Sequence, residues 1–145
     1  MSEENVEIVR RAYAAFNRGD PEALDEVISA DCVMDWSRSQ GPEKGVYHGL
    51  DGAARWIAAI RQAFEEFELA PSEYIGSGDR IVVPTRVTGR GRGSGVAVEA
   101  SGTTLWEIRD GRVDSFVLYQ SREEALALAE GDLETARGAV LIRPW

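Results

Sequence analysis

The chain has 145 residues, of which 43% are hydrophobic and 28% are charged, as in an ordinary soluble globular protein. Its single cysteine excludes an internal disulfide and a cysteine-based zinc site, and its net charge of -9 argues against a general nucleic-acid binder. The sequence has no apolar run of membrane-spanning length, and its N-terminus lacks the features of a signal peptide. We therefore expect a cytoplasmic protein with one domain over residues 1–130 and a C-terminal tail over 131–145.

Three helices are predicted in the first half of the chain. Each presents apolar residues at helical spacing, and their spans are about Glu3–Arg18, Pro21–Ser29 and Gly49–Glu66. Between the first two, Gly19 suits a left-handed residue after a helix, and Asp20 suits an N-cap. Two helices that fold back in this way against a curved sheet can enclose a pocket.

The other segments favour strands, because apolar and polar residues alternate in them. The predicted strands are Val33–Trp36, Glu68–Ile75, Arg80–Arg92, Val96–Arg109 and Arg112–Gln120, with a loop over Ser37–Gly45. A capping box formed by Ser121 and Glu124 predicts a last helix, from Arg122 to about Ala129.

The sheet register follows from a predicted two-residue turn at Ser94-Gly95. It places the following pairs on one face: Val87 with Gly102, Thr85 with Thr104, Val83 with Trp106, and Ile81 with Ile108. On the other face Arg90 then lies opposite Glu99, as cross-strand charge pairing favours. Pro84 interrupts this pattern and indicates a bulge or an edge segment.

The next turn, at Arg109–Gly111, has two interpretations. As a two-residue turn it sends Ser115, Val117 and Tyr119 inward. As a three-residue loop with a left-handed glycine it sends inward Phe116, Leu118 and Gln120. We favour the second, because it buries the phenylalanine and the leucine.

Three motifs occur in this order of elements: Ala-Phe-Asn-Arg-Gly-Asp (Ala15–Asp20), Val-Tyr-His-Gly (Val46–Gly49) and Trp-Glu-Ile-Arg-Asp-Gly-Arg-Val (Trp106–Val113). Together they resemble the SnoaL-like branch of the nuclear transport factor 2-like superfamily, over about Ser2 to Ala129. The resemblance implies a cone-like α+β fold, with three N-terminal helices packed on a strongly curved antiparallel sheet and a C-terminal helix. It also implies a deep pocket and a homodimer. Because members include isomerases, cyclases and non-catalytic binding modules, the fold does not fix the activity.

The catalytic residues of ketosteroid isomerase do not transfer to this chain. That chemistry needs a tyrosine on the first helix, an aspartate base on the first strand and a protonated acid deep in the sheet. Alignment through the Asn-Arg-Gly-Asp motif places at these positions Ala12, Trp36 and Thr104. Tyr13 and Asp35 are each one residue away, which turns a strand side chain to the opposite face. We therefore do not expect this isomerase activity.

Two titratable residues are candidates for acid–base catalysis. His48 is the only histidine, and it either points at the pocket mouth or is an exposed or capping residue before Gly49. Asp35 would have a raised pKa if it were buried beside Trp36, but strand alternation turns it away if Trp36 faces the pocket. We favour the structural interpretation for both and retain them as the catalytic candidates.

Aromatic side chains are expected to converge between the helices and the concave sheet. The predicted pocket comprises Trp36, Trp56, Trp106, Phe116 and Leu118, with the polar residues Thr85, Thr104 and Gln120. These residues are either plain core or the lining of a pocket that suits a planar or cyclic apolar ligand. Tyr13 either donates a hydrogen bond into the cavity or, as we favour, belongs to the apolar stripe of the first helix. Trp36 is the best single candidate for a ligand contact.

Two functions remain open from the sequence. The first is a cofactor-free isomerase, cyclase, dehydratase or hydrolase acting on a small apolar molecule. The second is a non-catalytic binding or accessory protein with the same pocket. The sequence has no metal-ligand spacing and no phosphate-binding loop, so we expect no metal, no cofactor, no nucleic acid and no membrane partner.

Overall fold

The computed structural model describes residues 3–39, 44–120 and 122–130. In these residues the chain forms the helices α1 (Glu3–Arg18), α2 (Pro21–Asp25), α3 (Gly49–Ala63) and α4 (Arg122–Glu130). The strands are β1 (Ile28–Asp35), β2 (Val46–His48), β3 (Phe64–Pro71), β4 (Ile75–Ser77), β5 (Arg80–Gly91), β6 (Ala97–Arg109) and β7 (Arg112–Tyr119). The α+β class is confirmed. Ser121 of the predicted capping box and the predicted tail lie outside the described residues. None of the described helices has the length and apolar character needed to span a membrane.

The strands form one curved, unclosed sheet in the order β2-β1-β7-β6-β5-β3, with β4 paired to β5. The sheet is mixed, because β1 runs parallel to β7. The antiparallel prediction is therefore wrong at this pair. Hairpin reasoning concerns strands that follow one another, and it says nothing about a first and a last strand that meet in space.

Several element boundaries also differ from the prediction. β1 begins at Ile28, and the backbone at Phe64 is already extended (φ -132°, ψ 149°), so α3 ends at Ala63. Strands β2 and β4 have three residues each and were not predicted. Segments this short carry no periodicity that a sequence pattern can reveal.

The predicted register of the β5–β6 hairpin is wrong by two residues, since Thr85 lies opposite Gly102. The connecting loop is longer than a two-residue turn, because the last pair of the ladder is Arg90 with Ala97, and within the loop Gly93 and Gly95 take positive φ values, of 85° and 70°. A shift of two residues leaves each side chain on its predicted face. On the outer face it replaces the expected charge contact, and Glu99 pairs instead with Arg86, at 2.6 Å.

Pro84 occupies a gap at the edge of β5. Strand β3 ends at Pro71 and β4 begins at Ile75, so a short stretch of β5 between them has no partner strand. Within this gap, Ser72 N donates a hydrogen bond to Pro84 O, at 2.9 Å. In an antiparallel strand the backbone N and O of one residue point to the same side, so the Pro84 nitrogen, which carries no hydrogen, also faces this gap. The edge-segment interpretation is confirmed.

The β6–β7 hairpin combines features of both predicted turns. Asp110 and Gly111 form a two-residue turn with φ values of 51° and 76°. A bulge at Asp114 then adds one residue to β7, and Phe116 lies opposite Trp106. The favoured inward face of β7 is therefore confirmed, although the bulge produces it and the turn does not.

The two faces of the sheet are covered by different elements. The main core lies between its inner face and helices α1, α2 and α3. On the outer face, α4 packs Ala125 and Leu126 against Val82, Leu105 and Tyr119. This arrangement leaves the inner face, near the β5–β6 loop, to form the site described next.

Candidate functional site

A cavity of about 540 Å³ opens between α3 and the inner face of β3, β5 and β6. This volume lies within the range of roughly 300–1,000 Å³ that is typical of small-molecule pockets. Most of the described lining side chains are apolar, and they include Trp36, Trp56, Ile60, Phe64, Phe67, Leu69, Val87 and Leu118. Polar residues also border the cavity, namely Ser39 and Gln120, together with Glu99 and Ser101, whose side chains lie on the outer face of β6.

A smaller cavity of about 20 Å³, enough for roughly one water molecule, lies deeper in the core. Five residues line both cavities and so form the boundary between them: Trp36, Leu69, Val87, Gly102 and Leu118. At this boundary Leu118 packs directly on Gly102, where a Cβ atom would lie 2.7 Å from Leu118 Cδ1. The packing of these two residues therefore limits the connection between the cavities.

Tyr13 lies beside the smaller cavity, and its hydroxyl is held by two threonines. Its oxygen is 2.7 Å from Thr85 Oγ1 and 2.9 Å from Thr104 Oγ1. Burial raises the pKa of Tyr13 from 10.0 to about 12, although the hydrogen bonds with Thr104 and Thr85 oppose the shift. Tyr13 is therefore a neutral phenol at any physiological pH.

The same threonines complete a hydrogen-bonded group within the core. Thr85 Oγ1 and Thr104 Oγ1 lie 3.0 and 3.2 Å from Val83 O, and Trp106 Nε1 donates to Thr104 Oγ1 at 2.8 Å. Each donor of this group, including the Tyr13 hydroxyl, has an acceptor inside the group. This geometry supports the interpretation of Tyr13 as a core residue whose hydroxyl is satisfied locally.

The structure brings the predicted aromatic residues together. The rings of Trp36 and Trp56 are stacked, with centroids 5.0 Å apart and 9° between their planes. Phe116 meets the Trp36 ring at 86° and 5.6 Å, and it stacks on Trp106 at 4.4 Å. Trp36 Nε1 is buried and has no hydrogen-bond partner among the described residues.

Asp35 lies outside the described lining of both cavities. Its carboxylate accepts hydrogen bonds from Ser37 N, at 2.9 Å, and Ser37 Oγ, at 2.5 Å, and it pairs with Arg38 at 3.5 Å. Burial by itself raises the pKa of Asp35, but the Ser37 hydrogen bonds and the Arg38 guanidinium outweigh it and lower the pKa below its ordinary value. This geometry is that of a carboxylate that stabilises a turn.

His48 also lies outside both linings. It is an exposed residue of β2, opposite Val33, and it occupies the N-cap position of α3 without a side-chain capping hydrogen bond. The catalytic roles of His48 and Asp35 stay predictions.

Gln120 lies at the mouth of the larger cavity, where it connects two segments. Its Nε2 donates to Arg38 O at 2.8 Å, and the Arg38 guanidinium lies over the Tyr119 ring, 4.9 Å from its centroid. The segment after β1 is thereby fixed to the end of β7. The Gln120 amide therefore helps to hold the part of the cavity lining next to Ser39 in place.

Sequence reasoning missed several lining residues, chiefly Phe64 and Phe67. Their rings lie 5.8 Å apart, and the Phe67 ring meets Trp56 at 74°. Because the predicted third helix extends to Glu66 and the next predicted strand begins at Glu68, Phe64 is predicted as a helical residue and Phe67 lies between two elements. The positive φ of Glu66, 56°, and the register shift between Glu65 and Glu68 aim these rings at the cavity, and no sequence signal indicates either feature.

No group of three or more His, Cys, Asp or Glu side chains in the described part of the chain is placed to hold a metal ion.

Comparison with known proteins identifies the family. The model of the SnoaL-like domain matches residues 9–116. No curated protein matches the chain. The fold is similar to that of an NTF2-like protein of unknown function from Burkholderia pseudomallei, with 27% identity and a TM-score of 0.71, covering 90% of this chain and 100% of that one.

Two further solved structures are similar. One is an NTF2-like protein from Burkholderia xenovorans, with 26% identity and a TM-score of 0.72, covering 90% of this chain and 98% of that one. The other is a proposed polyketide cyclase from Sinorhizobium meliloti, with 27% identity and a TM-score of 0.61, covering 77% of this chain and 93% of that one. Because the model of this domain matches most of the chain, the chain belongs to the SnoaL-like domain family.

Proposed function

We propose that this SnoaL-like protein binds a small, flat, apolar molecule in the larger cavity. The observation that carries the proposal is the stacked pair of Trp36 and Trp56 in the lining of a cavity of about 540 Å³. Phe64 and Phe67 add two further aromatic surfaces to the same lining. Aromatic rings offer such a ligand large apolar contact areas and favourable stacking geometry.

The charges around the cavity favour a neutral ligand. The described lining residues include no arginine or lysine, and their one carboxylate, that of Glu99, is paired with Arg86 at 2.6 Å. A charged ligand would lose its hydration here without gaining a partner of opposite charge. The cavity therefore suits an uncharged molecule that carries few polar groups.

Native mass spectrometry of freshly purified protein tests the proposal. We expect a mass excess that is lost on denaturation. Ala100→Phe fills the cavity, because Ala100 lines it, whereas Ala97→Phe is the matched control on the outer, exposed side of the same strand. The excess should disappear in the first variant and persist in the second. An excess that persists in both variants would place the molecule elsewhere and overturn the proposal.

The second candidate is an enzyme: a cofactor-free isomerase, cyclase, dehydratase or hydrolase acting on the same class of molecule. Its support is the likeness to the proposed polyketide cyclase, at 27% identity. The candidate acid and base remain Asp35 and His48. Once a turnover assay exists, Asp35→Asn combined with His48→Ala should abolish the rate, and an unchanged rate would remove both assignments.

The homodimer implied by the family resemblance is a further proposal, and sedimentation velocity tests it. The part of the outer sheet face that α4 leaves open carries Arg86, Thr88, Glu99 and Ser101. A monomer at all concentrations would overturn it.

A further inference from the structure

We infer that the indole N–H of Trp36 donates a hydrogen bond to a neutral carbonyl oxygen of the bound molecule. The inference rests on the proposed function and narrows its ligand class to flat apolar molecules with a ketone or quinone oxygen at one edge. It assigns to Trp36 a recognition role in addition to apolar contact.

The first observation is an unsatisfied buried donor. Trp36 is 6% exposed, and its Nε1 has no partner among the described residues. Buried polar groups in folded proteins nearly always have a partner, so each exception calls for an explanation. Trp106 provides a comparison within the same core, because its Nε1 donates to Thr104 Oγ1 at 2.8 Å. Of these two indoles, the described part of the fold satisfies one and leaves the other without an acceptor.

The second observation is that the Trp36 ring is held in place. It stacks on Trp56 at 5.0 Å, and Phe116 meets it at 86° and 5.6 Å. Rotation toward an acceptor of the protein would break both contacts. The same ring lines both cavities, so its donor keeps one position close to the space that a ligand enters.

The chemistry of the donor and its surroundings defines the acceptor. An indole N–H only donates, and it is neutral. Since no cationic side chain is among the described lining residues, a carboxylate would be desolvated here without compensation. A ketone or quinone oxygen accepts the hydrogen bond at a much smaller desolvation cost.

The inferred route to the N–H passes Leu118. Because Nε1 is buried, the carbonyl reaches it when a neighbouring side chain moves, and Leu118 shares the boundary of the two cavities with Trp36. The side chain of Leu118 ends over Gly102, which presents no side chain that would restrict a change of rotamer.

A matched pair of probes tests the inference. 9-Fluorenone and fluorene have the same flat skeleton and differ in a carbonyl against a methylene. Calorimetric titration should give an affinity for fluorenone about three- to tenfold higher than for fluorene. Trp36→Phe, which keeps an aromatic ring and removes the N–H, should lower the affinity for both probes, because ring contact is lost, and should abolish the preference for fluorenone. Replacement of Trp36 by benzothienylalanine, which keeps the shape of the indole without its N–H, should abolish the same preference.

The outcomes separate this inference from the proposed function. If both probes bind equally to the unmodified protein, or if the fluorenone preference survives both replacements, the cavity binds apolar molecules and the role of the Trp36 N–H is overturned. If neither probe binds, the proposed function fails and the inference fails with it. As a second readout, the Trp36 indole signal in a ¹H–¹⁵N spectrum, assigned through Trp36→Phe, should move downfield with fluorenone and not with fluorene.

Discussion

The side-chain amide of Asn17 forms two hydrogen bonds with the backbone of Leu69. Asn17 Nδ2 donates to Leu69 O at 2.9 Å, and Leu69 N donates to Asn17 Oδ1 at 2.8 Å. The amide therefore extends the pairing of β3 on the side away from β5 and joins the end of α1 to the sheet. Because Leu69 lines both cavities, this contact also positions part of the ligand site.

We predict that Asn17→Ala lowers the free energy of unfolding by about 1–3 kcal/mol, because it leaves a backbone N–H and C=O of β3 without partners. Urea denaturation measures the change. Gln62→Ala is the control, since it removes an amide from an exposed position of α3 and should cost less than about 0.5 kcal/mol. Equal losses in the two variants would contradict the role assigned to Asn17.

The buried phenol of Tyr13 predicts a loss of stability at high pH. Its pKa is raised from 10.0 to about 12 by burial, so the folded state retains a proton that the unfolded state has lost. The stabilisation of the folded state that results from this pKa difference is complete below pH 10 and is lost as the pH rises to about 12. The free energy of unfolding should therefore fall more steeply across this window in the unmodified protein than in Tyr13→Phe.

The alkaline experiment needs a correction for Cys32. Burial raises the pKa of this thiol from 9.0 to about 12, which gives a pH dependence of the same sign. The comparison of Tyr13→Phe with its parent is therefore made in a Cys32→Ala background. Identical slopes for the two proteins would show that the Tyr13 phenol does not contribute.

The longer elements of this fold and the faces of its strands could be predicted from the sequence, but its two three-residue strands and the register of the β5–β6 hairpin could not. The inward-facing sets on β5 and β6 were predicted although the hairpin pairing is shifted by two residues, because such a shift preserves the face of every side chain. The bulge at Asp114 and the parallel meeting of β1 with β7 are set by tertiary packing. Local patterns contain no information on either feature.

The candidate site, like the fold, could be predicted from the sequence only in part. The convergence of Trp36, Trp56 and Phe116 followed from apolar spacing on elements that share one core. Phe67 was missed because its direction depends on the irregular backbone at Glu66. Whether the Trp36 N–H has an acceptor depends on which atoms surround it in space, so a sequence can suggest the ring as a contact but not that its donor lacks a partner among the described residues.

The turn after β1 predicts a loss of stability at low pH that depends on Asp35. Hydrogen bonds from Ser37 and the Arg38 guanidinium together lower the pKa of Asp35 in the folded state. The carboxylate therefore stabilises the fold fully above its ordinary pKa of 3.8, and this stabilisation is lost as the pH falls through the folded-state pKa. At neutral pH, Asp35→Asn should be less stable than the unmodified protein, and the difference should shrink at acidic pH. Denaturation at several pH values measures it. Asp31→Asn, an exposed position on the same strand, is the control, and an identical pH profile for the two variants would contradict the prediction.

The boundary between the two cavities predicts that Gly102 and Leu118 are energetically coupled. Gly102→Ala places a Cβ atom 2.7 Å from Leu118 Cδ1 and should lower the free energy of unfolding by about 1–3 kcal/mol. In a Leu118→Ala background the methyl group has room, and the same change should cost about zero. Urea denaturation of the four proteins gives the coupling energy, which we expect to be about 1 kcal/mol or more.

Val113 provides the control for this cycle. It is fully buried on β7 and lies outside the lining of both cavities, so the effects of Gly102→Ala and Val113→Ala should add. Coupling confined to Leu118 would mean that the added methyl group clashes with this side chain, as the packing at the boundary between the cavities requires. A coupling near zero would instead mean that the surrounding structure absorbs the change, and it would contradict the prediction.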